Sequence, residues 1–142
     1  MRDPLLQEIH RAEPWRMMLA CILMSQTHAI SAGPVLAELL RRWPNPAALA
    51  DATIAEVEDL VRPLGLWRKR AEQLVSLSSR WVEKPPRGPP AGYPGIGRYA
   101  LDSWAIFVEG RADVDPADPV LRAYMRRVAE DASPVLPLGR EM

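Results

Sequence analysis

The chain has 142 residues, 48% apolar and 25% charged, with 18 basic and 18 acidic side chains that cancel to zero net charge. This is the composition of one ordinary globular domain, and the neutral balance argues weakly against a nucleic-acid partner. A single cysteine, Cys21, excludes an internal disulfide and a four-cysteine iron–sulfur cluster within the chain. No run approaches the roughly 18 apolar residues of a membrane span. The N-terminus carries no secretory pattern, so the expected location is cytoplasmic.

Pro4 to Ala12 reads as a short helix. Pro14 opens a second, with Trp15, Met18, Leu19, Ile22 and Leu23 at helical spacing. That run is apolar nearly all round and is expected to be the central buried helix, with Cys21 a buried thiol. It ends where Ser25, Gln26 and Thr27 bring polar side chains to the surface. A third helix is expected from Ala29 to Arg42, with Val35, Leu36, Leu39 and Leu40 inward, stopped by Trp43-Pro44-Asn45-Pro46. Thr53 and Glu56 have capping-box spacing and start a helix to about Val61. Pro63-Leu64-Gly65-Leu66 is a turn, and a long helix follows from Trp67 to Val82. Lys84 to Gly92 is a Pro/Gly-rich loop.

Next comes Tyr93-Pro94-Gly95-Ile96-Gly97-Arg98-Tyr99, a Gly-apolar-Gly turn leading into an apolar helix to Val108. Two glycines so spaced suit a tight turn, and free N–H groups at the following helix start suit an anion such as a DNA phosphate. From Arg62 to Arg98 eight basic residues, among them Arg68, Lys69, Arg70 and Arg98, face two acidic ones. A charged face around the turn would suit a phosphate backbone. Asp118-Pro119 starts the last helix, to about Glu130. No alternating strand pattern occurs, so the expected fold is all-α, with a domain over residues 1–132 and a tail over 133–142. His10 and His28 lie apart from any ligand cluster and read as structural.

Helix, Pro-Gly-apolar-Gly turn, helix is the pattern of the helix-hairpin-helix. In it the chain resembles the helix-hairpin-helix (HhH-GPD) DNA glycosylases of the endonuclease III superfamily. Within that superfamily it is most similar to the glycosylase domain of the methyl-CpG-binding-domain mismatch thymine/uracil glycosylases. The stretches that carry the likeness are Leu5-Leu6-Gln7-Glu8, Pro14-Trp15-Arg16, Gln26-Thr27, Pro63-Leu64-Gly65-Leu66, Gly95-Ile96-Gly97-Arg98-Tyr99, Asp102-Ser103 and Val114-Asp115-Pro116-Ala117-Asp118.

The resemblance implies a compact helical glycosylase, without an iron–sulfur cluster, that removes mismatched thymine or uracil from double-stranded DNA. Asp118 aligns with the catalytic aspartate, and Asp115 is the fallback. Tyr99 stands where bifunctional relatives carry the Schiff-base lysine, which implies a monofunctional, hydrolytic enzyme. Tyr99 would instead meet the flipped base. Gln7 aligns with a residue that reads the pyrimidine edge, Gln26 with the residue that plugs the hole, and Leu66 with an apolar wedge. Gly95, Ile96, Gly97 and Arg98, with Arg68 and Lys69, would hold phosphates. Val120 replaces a lysine of the close relatives. No cofactor or protein-bound metal is implied beyond a monovalent cation that hairpin carbonyls of the family can hold. A monomer with no membrane partner is expected.

Overall fold

A computed structural model describes residues 4–132; the expected tail over 133–142 lies outside the described residues. The fold is all-α, and the described residues contain no strand. The helices are α1 (Leu6–His10), α2 (Pro14–Met24), α3 (Ala29–Arg42), α4 (Pro46–Ala50), α5 (Ile54–Val61), α6 (Trp67–Glu83), α7 (Arg98–Ser103) and α8 (Pro119–Ala132). A 3₁₀ turn, Arg62–Leu64, joins α5 to α6, and one π-helical segment, Trp104–Val108, continues α7.

Helix α2 is the axis of the molecule. Pro14 occupies its first turn, where a missing N–H costs nothing, and eight of its residues from Trp15 to Leu23 are buried. Helices α1, α3, α6 and α7 pack around it, while α4 and α5 lie against α6. Trp15 Nε1 donates to Ser78 Oγ at 3.0 Å, and Ser78 Oγ donates onward to the Leu74 carbonyl at 2.8 Å, so the α2–α6 seam has its polar groups satisfied. On the far side, Phe107 and Tyr124 meet with ring centroids 4.8 Å apart and tie the π segment to α8.

Three local expectations change. The first helix is shorter than Pro4–Ala12, since only Leu6–His10 is helical; the Glu8 carboxylate accepts from the Leu5 N–H at 2.8 Å and fixes its start. Val35 and Leu40 are half-buried, and Ala32 takes an inward place beside Leu36 and Leu39. Helix α4 arises inside what reads as a stop: Asn45 Oδ1 accepts from the Ala48 N–H at 2.9 Å with Pro46 at the first helical position. The Thr53–Glu56 capping box forms as expected.

Cys21 is fully enclosed, and burial pushes its thiol from 9.0 up to about 12, partly opposed by a hydrogen bond with Ser103. The unfolded chain therefore releases this proton at a lower pH than the folded one. Below about 9 both states hold it; between 9 and 12 only the folded state does, so folded stability is lost across that window. Urea midpoints measured across it should fall with rising pH. In Cys21→Ala the decline should be shallower by up to about 1.4 kcal/mol per pH unit.

Candidate active site

Where α2 ends, the chain turns through Ser25–Thr27 and leaves a cavity of about 600 Å³. Its lining comes from four separated parts of the sequence: Gln7 on α1, Met24 to Ala29 from the end of α2 to the start of α3, Tyr99 on α7, and Asp118 and Val120 at the start of α8. Of the residues singled out from sequence, Gln7, Gln26, Tyr99 and Asp118 share this one cavity.

Gln7 is 2% exposed. Its amide nitrogen donates to Tyr99 Oη at 2.7 Å and to Ser103 Oγ at 3.3 Å. Both amide hydrogens are thus committed to protein, and the Gln7 carbonyl oxygen, with no partner among the described residues, is what it can offer a ligand. Tyr99 accepts from Gln7 and spends its own proton on a weak contact with Met24 Sδ, 4.0 Å away. Burial, above all, raises the Tyr99 phenol well beyond its ordinary range, with Cys21 and Asp118 adding to the effect and the Gln7 bond opposing it. The phenol is therefore a neutral hydrogen-bond donor at any physiological pH.

Asp118 is the N-cap of α8. Its Oδ2 accepts from the N–H groups of Val120 and Leu121, both at 3.0 Å, which fixes the carboxylate on the cavity wall and places a helix N-terminus behind it. Asp115 does not reach the cavity. Its carboxylate pairs with Arg122 at 3.1 Å, and its carbonyl accepts from Arg98 at 2.9 Å. Sequence alone left these two carboxylates open, and only Asp118 stands beside Gln7 and Tyr99.

The hairpin lies next door. Gly95 to Ala100 border a second depression that shares Ser25 and Tyr99 with the main cavity. The two glycines differ in kind. Gly95 has φ +78°, and a Cβ there would sit 2.8 Å from Ile22 Cδ1, so the turn demands glycine. Gly97, expected to be equally demanding, is extended at φ −112° and has nothing within 4 Å of where a Cβ would point. Its missing side chain leaves open space outside the protein. Arg98 is exposed and lies 3.4 Å from Asp102.

Leu66 stands outside the cavity, 53% exposed at the start of α6, with φ +49°. Gln26 has φ +63°. These are the two non-glycine residues with positive φ among the described residues. Arg68 and Lys69 are exposed on the first turn of α6, and the Arg68 and Arg62 guanidinium groups lie 4.6 and 4.1 Å from the Trp67 ring centroid. Arg70, counted above with the charged face, is instead 2% exposed. His28, read as structural, is exposed and lines the cavity as the N-cap residue of α3. Ser103, to which sequence gave no role, anchors Gln7.

Among the described residues no His, Cys, Asp or Glu cluster could hold a metal, and no helix is long and apolar enough to cross a membrane.

Residues 19–133 match the family described as HhH-GPD superfamily base excision DNA repair protein. The chain is 32% identical over 121 residues to a methyl-CpG-binding domain protein 4-like protein of Arabidopsis thaliana, covering 84% of this chain and 27% of that one. It is also 32% identical over 124 residues to a thymine/uracil-DNA glycosylase of Pyrobaculum aerophilum, covering 83% and 52%. A solved thermostable thymine-DNA glycosylase superposes with a TM-score of 0.68 at 21% identity, covering 78% of this chain and 53% of the other. The chain thus spans about half the length of the archaeal relative and about a quarter of the plant one.

Proposed function

The chain belongs to the HhH-GPD superfamily of base excision DNA repair proteins, and from that premise we propose that it is a monofunctional DNA glycosylase releasing thymine or uracil mispaired with guanine in double-stranded DNA. The observation that carries the proposal is the convergence of Gln7, Tyr99 and Asp118 on one cavity from positions as much as 92 residues apart for a single hydrogen bond.

The target nucleotide leaves the stack and its base enters the cavity. Thymine and uracil carry a donor at N3, which the free Gln7 carbonyl can accept; cytosine presents an acceptor there and is repelled. The Tyr99 hydroxyl turns from Met24 to donate to a base carbonyl. As the bond between base and sugar breaks, its electron pair leaves with the base and positive charge develops on the sugar. The Asp118 carboxylate faces that charge, orients the attacking water and takes its proton. Val120 adds no charge beside it. A tyrosine at position 99 cannot form an imine, so the expected product is an intact strand with an abasic site.

Outside the cavity, the hairpin backbone at Gly95 and Gly97 would meet one phosphate, with Arg98, Arg68 and Lys69 on its flanks, while the Ile96 N–H closes the turn by donating to the Tyr93 carbonyl at 3.1 Å. Backbone carbonyls of the hairpin are a donor set suited to a hard alkali cation, which would neutralise phosphate charge and take no part in bond cleavage.

The test is a labelled duplex bearing one G·T or G·U pair, treated with enzyme and then with or without hot alkali. Strand breaks should appear only after alkali, and a G·C control should remain intact. Breaks without alkali would refute the monofunctional assignment, and salt-sensitive binding with no base release would reduce the protein to a DNA-binding module.

A further inference from the structure

The two residues with positive φ, Gln26 on the cavity and Leu66 outside it, are 40 positions apart in sequence, yet one side chain serves both turns. From the first turn of α6, the buried Arg70 guanidinium donates to the Leu64 carbonyl at 2.8 Å, to the Gly65 carbonyl at 3.1 Å and, with a close contact, to the Ser25 carbonyl. Ser25 immediately precedes Gln26, and Gly65 immediately precedes Leu66. The Ser25 and Gly65 carbonyls therefore each belong to the peptide plane whose rotation sets φ of the strained residue that follows. Thr27 Oγ1 adds a weaker tie to the same Leu64 carbonyl at 3.5 Å.

A left-handed conformation costs a non-glycine residue on the order of 1–3 kcal/mol and persists only where its surroundings hold it. A branched residue such as Leu66 is poorly suited to it. The guanidinium is itself held at a cost, because Arg70 Nε is buried without a partner and burial lowers the guanidinium from its ordinary range. An apolar side chain would fill the same space without that penalty.

We infer that Arg70 is a positioning residue that fastens the Ser25–Thr27 and Leu64–Leu66 turns together, so that Gln26 and Leu66 form one rigid two-pronged wedge. This rests on the glycosylase reading for what the wedge does: it fills the hole left by the extruded base and separates the facing stack. A fixed wedge meets the duplex already in shape, so no ordering cost falls on the extrusion step.

The experiment compares the wild type with Arg70→Met, which keeps the stem and removes the donors. In DNA-free protein, exchange of the Thr27 and Gly65 amides, which close the two turns onto Met24 and Arg62, should accelerate roughly 10- to 100-fold while the α2 core amides stay protected. Uracil release from a G·U duplex should fall by a similar factor, whereas release of the same uracil from an unpaired bubble, where nothing must be wedged apart, should change by less than about threefold. Unchanged turn amides would overturn the inference, as would an equal fall on duplex and bubble, the mark of a merely structural role. If the wild type releases base from neither DNA, the glycosylase reading fails and the amides alone decide the clamp. If Arg70→Met does not fold, Arg70→Lys carries the same test, since a single ammonium lacks the planar fork that spans both turns.

Discussion

Asp118→Asn is expected to lower base release by about 10³-fold while leaving the melting temperature and duplex affinity unchanged. The two halves of this result have separate origins. As a cap, Asp118 supplies one oxygen that accepts from Val120 and Leu121. An asparagine carbonyl makes the same bonds, and the two residues rank together as N-caps, so stability should move by less than about 0.5 kcal/mol. In the proposed catalytic role, Asp118 would supply a negative charge opposite a sugar that becomes positive, and the amide has none. Asp115→Asn is the matched control: its carboxylate is engaged with Arg122 away from the cavity, and release should change by less than about threefold. Single-turnover base release, with melting curves for each variant, reads both halves. Equal losses at both aspartates, or a large fall in melting temperature for Asp118→Asn, would remove the catalytic assignment.

The second large effect is on stability and comes from the hairpin. Gly95→Ala should destabilise the fold by about 2–4 kcal/mol, lowering the melting temperature by roughly 5–15 °C. Two costs add there. The backbone is left-handed, and the new methyl would lie 2.8 Å and 3.1 Å from Ile22 Cδ1 and Cγ1 and 3.2 Å from Gln73 Cβ. Ile22 belongs to α2 and is 2% exposed, so it has little freedom to yield. Gly97→Ala should melt like the wild type, because its conformation is ordinary and its surroundings are empty. It should instead weaken duplex binding by about tenfold, since its methyl projects where a phosphate would approach the backbone. Calorimetry and salt-controlled binding titrations separate the two glycines. Parallel behaviour would mean that both are needed for the turn alone.

What the sequence made legible follows from range. Helix α2 was readable because its apolar residues, its opening proline and its polar end at Ser25 are all local. The all-α fold and the Thr53 cap were readable for the same reason. Helix α4 hid behind two prolines that look like breakers although Asn45-Pro46 is a start signal. The π segment after Ser103 leaves no periodic trace in five residues. The site was harder. Resemblance nominated Gln7, Tyr99 and Asp118, but the binding of both Gln7 amide hydrogens depends on Tyr99 and Ser103, 92 and 96 residues away. No spacing rule reaches that far. Arg70 sits in a basic run, and nothing local distinguishes a buried clamp from its exposed neighbours Arg68 and Lys69. The place of His28 on the cavity rim was hidden for a similar reason: nothing in its sequence neighbourhood says that it borders a cavity.

Helix α1 carries a consequence for how the molecule fails. Five residues make barely more than one turn, far below the length at which a helix holds itself together in water. Its place depends on Leu5 and Leu6 resting against the core and on Gln7 reaching Tyr99 and Ser103. Detaching it exposes far less apolar surface than opening α2, so the lower-energy excursion of this protein is a partial one, in which the cavity loses a wall while the bundle stands. Warming should therefore silence the site some degrees before it melts the fold, and cooling should restore it. Durability of activity and durability of structure are separate quantities here, and a substitution that strengthens the core will improve only the second.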